Sequence, residues 1–209
     1  MQYFSSLPKV AYRDKNKITT LYTNLMARAS IVPNILNSTL VYYSYDIKDE
    51  DTPEMIAYKY YGDINRFWMV LYCNQLNDPQ WDWPLSGNKF EKYVSQKLGE
   101  TRDEIHHYEK ITTITTRLTN GETTTNVEKI EIDSQEYLTL LYSLPGGDAI
   151  TTTHELPNET VTVSIQPHTV TNWQYEYDLN ESKRNIKLLN KNFAFQLEKE
   201  FMSLMGTNG

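Results

Sequence analysis

The segment from Tyr42 to Trp83 constrains the fold most, because its local signals agree over several consecutive elements. Tyr43 and Tyr45 alternate with polar residues, which predicts a strand with one buried face. After an acidic turn, Thr52 is a favourable helix N-cap and Pro53 suits the first helical position. The segment is therefore predicted to begin as a strand that leads into a capped helix.

Two apolar stripes at helical spacing follow this start. The first ends at Gly62, a residue type that commonly closes a helix in the left-handed conformation, and the second ends near Asn74. The stripes consist of Ile56, Ala57, Tyr60 and Tyr61, and of Ile64, Phe67, Trp68, Leu71 and Tyr72. Two consecutive helices are therefore predicted, with Trp68 in the core, followed by an aromatic-rich turn.

The order of these residues resembles a known family. A strand, a capped helix and a second helix ending in Asn are similar to a LysM-type βααβ module. More narrowly, the segment resembles the baseplate wedge subunit of contractile-tailed bacteriophages. The residues that carry this likeness are Tyr61-Gly62, Trp68, Val70, Leu71, Asn74, Asp78-Pro79 and Trp81 to Trp83. A second stretch, Tyr175 to Leu189, resembles a segment late in the same family.

The resemblance implies a structural protein of the virion, located in the tail baseplate and assembled in the host cytoplasm. It implies that the LysM-like module clamps onto other baseplate wedge subunits. Contacts with these subunits and with adjacent copies of the wedge would join neighbouring wedges into the ring around the central hub. The C-terminal helix would pack on a partner helix bundle. The predicted partner-binding residues are Tyr43, Tyr61, Trp81, Trp83, Arg184, Ile186, Leu189 and Phe193.

The aromatic cluster leaves an alternative function open. Its members are Tyr60, Tyr61, Trp68, Trp81 and Trp83. Aromatic rings stack on sugars, and LysM modules generally recognise N-acetylglucosamine polymers, so a protein that binds peptidoglycan or chitin-type glycans is the second hypothesis. Large aromatic residues also act as anchors of protein interfaces. The acidic loop before the first helix replaces the small polar residues of sugar-binding LysM loops, which favours the interface.

Composition and charge exclude several other classes. The net charge of −7 argues against nucleic-acid binding, which needs a basic face. No apolar run reaches the length of about 18 residues expected of a membrane span, and the N-terminus lacks the apolar core of a signal peptide. The single cysteine, Cys73, permits no internal disulfide and is predicted to be a buried apolar residue in a reducing compartment.

No catalytic or metal-binding pattern is recognisable in the sequence. The adjacent His106 and His107 point apart on any regular element, and no paired Cys or His-Glu-x-x-His spacing is present. Phosphate-binding glycine loops and nucleophile motifs are also missing from the sequence. The carboxylates around the acidic turn, Asp49 to Asp51, are predicted to be ionised and exposed. We therefore expect no enzyme, no metal, no cofactor and no small-molecule substrate.

The rest of the chain predicts three further segments around residues 41–98, the LysM-like module. Residues 1–40 form an N-terminal arm, in which Ile18 to Ala29 has the spacing of a helix. Residues 99–172 form a Thr-rich insert with antiparallel strands, in which Asn120-Gly121 favours a type I′ hairpin turn. A short helix is expected over Phe90 to Leu98, at the end of the module.

Residues 173–209 form the fourth segment. The apolar residues from Ile186 to Leu204 recur every three or four positions, which predicts an amphipathic helix with a break near Asn192. The predicted fold class is therefore α+β: a small LysM-like βαα module with a Thr-rich antiparallel β insert, an N-terminal helical arm and a C-terminal amphipathic helix.

Overall fold

A computed structural model describes residues 7–27, 40–144 and 149–206 of the chain. The predicted features at Met1 to Phe4, Pro33 and Pro145 to Gly147 lie outside the described residues. The chain has mixed α and β structure with antiparallel sheets, which confirms the predicted class. It divides into two compact units. The split unit comprises residues 1–87 and 180–209, and the inserted unit comprises residues 88–179.

The described elements follow one another along the chain with short connections. In the first half they are β1 (Lys9–Arg13), β2 (Thr19–Thr23), β3 (Tyr42–Asp46), α1 (Pro53–Tyr61), a 3-10 turn (Ile64–Arg66), α2 (Phe67–Cys73), α3 (Pro79–Asp82), α4 (Gly87–Leu98) and a second 3-10 turn (Gly99–Asp103). In the second half they are β4 (Ile105–Leu118), β5 (Thr123–Ile132), α5 (Ser134–Tyr142), β6 (Ile150–Glu155), β7 (Glu159–Thr171), α6 (Asn172–Ser182), β8 (Asn185–Leu189) and α7 (Lys191–Gly206).

The local signals of the split unit form the predicted elements. The Thr52 side chain accepts a hydrogen bond from the Met55 amide at 3.3 Å, so it caps α1. Gly62 ends the helix at φ 75°, where a side chain would be strained, and its amide donates to Tyr58 O at 3.0 Å. Trp68 and Cys73 on α2 are buried, as predicted.

The strand that pairs with β3 comes from the other end of the chain. β3 and β8 are antiparallel, with Tyr42 opposite Leu189 and Asp46 opposite Asn185. The predicted helical stripe from Ile186 to Leu204 is therefore wrong in its first part. Ile186 and Leu188 are buried while their neighbours at 185 and 187 are exposed, which is the alternation of a strand. The helix begins only at Lys191.

Two side chains close the outer edge of β8. Asn74, just after α2, receives a hydrogen bond from Lys187 N at 2.7 Å and donates to Lys187 O at 2.8 Å. It also donates to Val70 O at 2.7 Å. The Tyr61 hydroxyl donates to Leu189 O at 3.0 Å. Asn74 and Tyr61 therefore satisfy backbone groups that a neighbouring strand would otherwise satisfy.

The core of the split unit lies between this two-stranded sheet and the helices. Ile56, Met69 and Leu188 are among its largest fully buried side chains. The α7 helix closes the core, since the rings of Phe201 and Trp68 are 4.8 Å apart. Tertiary contacts of this core, more than the helix propensity of the individual segments, stabilise such short helices.

The N-terminal arm contains a hairpin where a helix was predicted. β1 pairs with β2 in antiparallel register, from Lys9 opposite Thr23 to Arg13 opposite Thr19. The spacing of Ile18, Leu21 and Tyr22 fits a helix, but three threonines between residues 19 and 23 favour an extended chain. The described part of the predicted helix is therefore wrong.

The inserted unit contains a four-stranded antiparallel sheet in the order β5-β4-β7-β6. The predicted pairing of β4 with β5 is confirmed, but the turn is not type I′. Gly121 has a positive φ of 91°, whereas Asn120 does not, and Gly121 N donates to Leu118 O at 3.0 Å. This is a three-residue loop closed by glycine. The predicted helix at Phe90 is confirmed as α4, which packs in this unit.

We predict that Asn74→Ala lowers the free energy of unfolding by roughly 1–3 kcal/mol, because two hydrogen bonds to β8 and one to Val70 O are lost. Urea unfolding followed by tryptophan fluorescence measures this, since the split unit contains Trp68, Trp81 and Trp83. The exposed Asn77 is the control, and Asn77→Ala should change stability by less than about 0.5 kcal/mol. Equal stability of the two variants would contradict the role of Asn74.

Candidate protein-binding surface

The structure separates the predicted partner-binding residues by exposure. Tyr43, Trp81 and Phe193 are exposed on the split unit, to 55%, 62% and 41%. Trp83 and Arg184 are partly buried. The remaining three, Tyr61, Ile186 and Leu189, are buried in the core of the unit. Their side chains contact that core, so any contribution to partner binding passes through the fold.

Tyr43 belongs to a group of aromatic rings at one end of β3. Its ring meets Tyr60 edge to face at 6.3 Å, and Tyr60 meets Tyr61 at 4.8 Å. The Tyr43 hydroxyl accepts a hydrogen bond from the Asn190 side chain at 3.3 Å, and the Lys191 ammonium lies 5.0 Å from the centre of the Tyr60 ring. Burial raises the pKa of Tyr61, so its hydroxyl stays protonated and donates. Tyr43 is thus exposed but held in place.

Asp51 is the centre of a polar network beneath this surface. Its carboxylate accepts hydrogen bonds from the Tyr45 hydroxyl at 2.8 Å, the Lys48 amide at 3.1 Å and the Lys59 ammonium at 2.6 Å. Asp51 is 6% exposed, so the predicted exposure of this carboxylate is wrong. The donors compensate burial and keep the group ionised, which the composition of the acidic turn alone does not reveal.

The same residue fixes Trp83. The indole Nε1 of Trp83 donates to Asp51 O at 2.9 Å, and the ring packs against the core. The indole thus connects the aromatic-rich turn to the start of α1. Trp83 therefore holds the turn in place, while Trp81, two residues earlier, points a largely exposed ring outward.

Arg184 connects the ends of the two paired strands. Its guanidinium donates to Glu181 at 2.7 Å, to Asp49 at 2.8 Å and to Ile47 O at 3.1 Å. The hydrogen bond with Glu181, and then that with Asp49, outweighs partial burial and raises the pKa of Arg184. A guanidinium with these three acceptors is committed within the unit, so it positions the acidic turn.

Sequence reasoning missed part of the exposed apolar surface of the split unit. Its additional members on α1, the first 3-10 turn and α7 are Met55, Tyr58, Ile64, Phe195 and Met202. Phe195 and Met202 lie outside the stripe that predicted α7, and Leu204, assigned to that stripe, is 72% exposed. The signal was present in the sequence, because α7 carries more apolar residues than one buried face needs.

The described residues offer binding surface and no recognisable catalytic centre. Within residues 7–27, 40–144 and 149–206, no three or more His, Cys, Asp and Glu side chains group as metal ligands. Burial raises the pKa of the Cys73 thiol to about 12, so it is not a nucleophile. In the same ranges, no helix is long and apolar enough to cross a membrane.

The Asp51 network predicts a pH-dependent stability. Burial alone would raise the pKa of Asp51, but the hydrogen bonds from Lys59, Tyr45 and the Lys48 amide hold it below the ordinary value of 3.8. The carboxylate therefore stabilises the fold above pH 3.8, and this contribution is lost as pH falls through the lower folded-state pKa.

Asp51→Asn should consequently lower the free energy of unfolding by about 1–3 kcal/mol at neutral pH. The difference from wild type should shrink below pH 3.8, where wild-type Asp51 also becomes protonated. Urea unfolding at a series of pH values measures both effects. Glu155→Gln, at an exposed carboxylate on β6, is the control and should cost little at any pH. A constant cost of Asp51→Asn across the pH range would contradict the network.

Comparison with known proteins supplies the family. The model of the family described as base plate wedge protein 53 matches residues 5–115. The match includes β3, α1, α2 and the aromatic-rich turn, which carry the resemblance seen in the sequence. No match was found among curated proteins. With more than half of its residues matched and these elements formed, the chain belongs to the base plate wedge protein 53 family of phages, whose role is structural.

Proposed function

We propose that this protein joins neighbouring wedges into the ring around the central hub of the tail baseplate, through protein–protein contacts of the split unit. The observation that carries the proposal is the set of large apolar side chains exposed on a firmly packed scaffold. Tyr43, Tyr58, Trp81 and Phe195 are each more than half exposed. Exposed aromatic residues on rigid elements are the usual anchors of protein interfaces.

Trp81 is the best-defined anchor in this set. It lies on the short helix α3, which Asp78 caps by accepting from the Gln80 amide at 3.0 Å. Asp82 accepts from the Asp78 amide at 3.0 Å, and the Lys183 ammonium donates to Trp81 O at 2.8 Å. The backbone beneath the indole is therefore fixed, so little conformational entropy is lost when a partner covers the ring.

We further propose that the split unit is a LysM-like module. The order of a strand, two helices and an antiparallel strand supports this, with β3, α1, α2 and β8 in these roles. The strand β8 supplies the closing element that the sequence between residues 84 and 98 does not contain. The module would then have the whole inserted unit between its second helix and its last strand.

Glycan binding has weaker support from the geometry. Of the aromatic cluster, Trp68 and Tyr61 are buried, at 3% and 9% exposure, and Tyr60 and Trp83 are partly buried. Trp81 alone in the cluster exposes most of its ring, and one ring is a small platform for a sugar polymer. Sedimentation with purified peptidoglycan tests this alternative, and we expect the protein to remain in the supernatant.

Trp81→Ala should leave the fold intact and weaken wedge joining. Loss of a central aromatic anchor costs about 2 kcal/mol or more, which is roughly a thirtyfold loss of affinity. The measurement is reconstitution of rings from purified wedges with wild-type or variant protein, counted by electron microscopy. Unchanged circular dichroism would show that the variant is folded.

The matched control is Tyr142→Ala, which removes an aromatic ring of 83% exposure from α5 in the inserted unit. This variant should support ring formation at the wild-type level. If Trp81→Ala also supports it at that level, Trp81 is not an anchor. If both variants fail equally, the split unit is not the specific joining surface.

A further inference from the structure

The β1–β2 hairpin is the part of the split unit least covered by the rest of the described chain. We call residues 8–26 the hairpin arm. All ten residues of its two strands are exposed, with five in each strand. The exposed apolar side chains of the arm are Val10, Tyr12, Ile18, Leu21, Tyr22, Leu25 and Met26, at 50% to 83%. An isolated two-stranded ribbon is at best marginally stable in water, so this surface needs a partner.

The arm is attached firmly at its base. Leu7, immediately before it, is 5% exposed and belongs to the core of the split unit, and Ala27, immediately after it, packs against that core. The Asn24 amide donates to Pro8 O at 2.8 Å, which brings the two ends together. The rings of Tyr12 and Tyr22 meet edge to face at 6.2 Å. The hairpin is therefore a defined projection from the core.

The charge of the arm is opposite to that of the remaining chain. The arm contains four basic residues, Lys9, Arg13, Lys15 and Lys17, and one acidic residue, Asp14. Its formal charge is thus +3, whereas the whole chain carries −7, so the remaining residues together carry −10. A basic apolar hairpin is complementary to an acidic surface with an accessible strand edge.

The split unit contains such an edge on β3. Asn190 N donates to Val41 O at 2.8 Å, and Ile47 N donates to Arg184 O at 2.9 Å. In an antiparallel pair this alternation turns the backbone groups of Ser44 away from β8. In the described ranges, β3 pairs with β8 alone, so its outer edge carries no strand.

This edge matches the arm in length and charge. β3 has five residues, the same length as β1 and β2. Asp46 ends the strand, and Asp49 and Glu50 follow in the acidic turn. The outer edge of β8, in contrast, is closed by side chains from the helices. An exposed strand edge without such protection is a template for another strand.

We propose that the hairpin arm of one copy adds to the open β3 edge of the adjacent copy, head to tail. Backbone hydrogen bonds would extend the two-stranded sheet, and the basic residues of the arm would lie near the acidic turn. A head-to-tail contact of this kind repeats from copy to copy and closes into a ring where the rotation allows. Its place in the base plate rests on the proposed function, but the contact itself can be tested on the isolated protein.

The test uses sedimentation velocity of the full chain over about a hundredfold range of concentration, since association follows mass action. The arm variant is Leu21→Asp, which places a charge on the apolar hairpin. The edge variant is Ser44→Pro, which removes an N–H that faces away from β8. Wild type should associate as its concentration rises, and each variant alone should remain a monomer.

A mixture of the two variants gives the sharpest result. The arm of the edge variant is intact, and so is the edge of the arm variant, so equal amounts should form a dimer and nothing larger. A monomeric wild type, or a mixture that stays monomeric, would overturn the proposal. Circular dichroism verifies that each variant is folded, and Lys9→Glu with Lys15→Glu replaces Leu21→Asp if that variant does not fold.

The matched control is Thr125→Pro on β5, the edge strand of the inserted unit. Leu118 N donates to Glu122 O at 2.8 Å, so the alternation turns the Thr125 N–H away from β4. Thr125→Pro should therefore associate like wild type, and loss of association in it would overturn the assignment to β3. Because the assay contains no other wedge protein, its failure is distinguishable from failure of wedge joining by Trp81→Ala.

Discussion

The pairing of β3 with β8 is the interaction on which the split unit depends. It joins strands that are about 140 residues apart in sequence, as in the hydrogen bond between Asn185 and Ser44, with a separation of 141. Closing so long a loop costs conformational entropy, which local contacts cannot offset. The buried side chains of Ile186 and Leu188 provide the compensation, because they complete the core.

Asparagine side chains support this pairing at two positions. Asn74 binds both backbone groups of Lys187 and so acts as a substitute strand on the outer edge of β8. Asn180, which is 6% exposed, does the same for Leu85: it accepts from its amide at 2.7 Å and donates to its carbonyl at 3.1 Å. Leu85 and Asn180 lie where the chain leaves the split unit and returns to it. The two asparagines thus allow a chain interruption of this length without unsatisfied backbone groups.

The sequence was informative where the stabilising contacts are local. Thr52 and Gly62 mark the ends of α1 through bonds that span three or four residues, so the pattern alone predicted the helix. β8 could not be found this way, because the partner of Ile186 is remote and the same residues also fit a helical spacing. The helix α5 had a local signal that was overlooked, since Asp133 caps it by accepting from Glu136 N at 2.7 Å.

The candidate site shows the same division between local and remote information. Trp81 was recognised from its neighbours, and it is exposed. Tyr61 was also assigned to the surface, but its hydroxyl bonds to Leu189 O, a partner that only the fold brings near. Asp51 was assigned to solvent by its charge, yet three donors from different elements enclose it. Burial of a polar residue depends on such partners, which composition does not identify.

Both the family and the structure describe a protein that acts by holding others together. The most direct measurement is affinity capture of the tagged full chain at its native level from cells producing the phage, with quantitative mass spectrometry and electron microscopy of the captured material. The account predicts stoichiometric recovery of other wedge subunits in wedge- or ring-shaped particles. Recovery of the protein alone, or bound to cell-wall fragments, would contradict it.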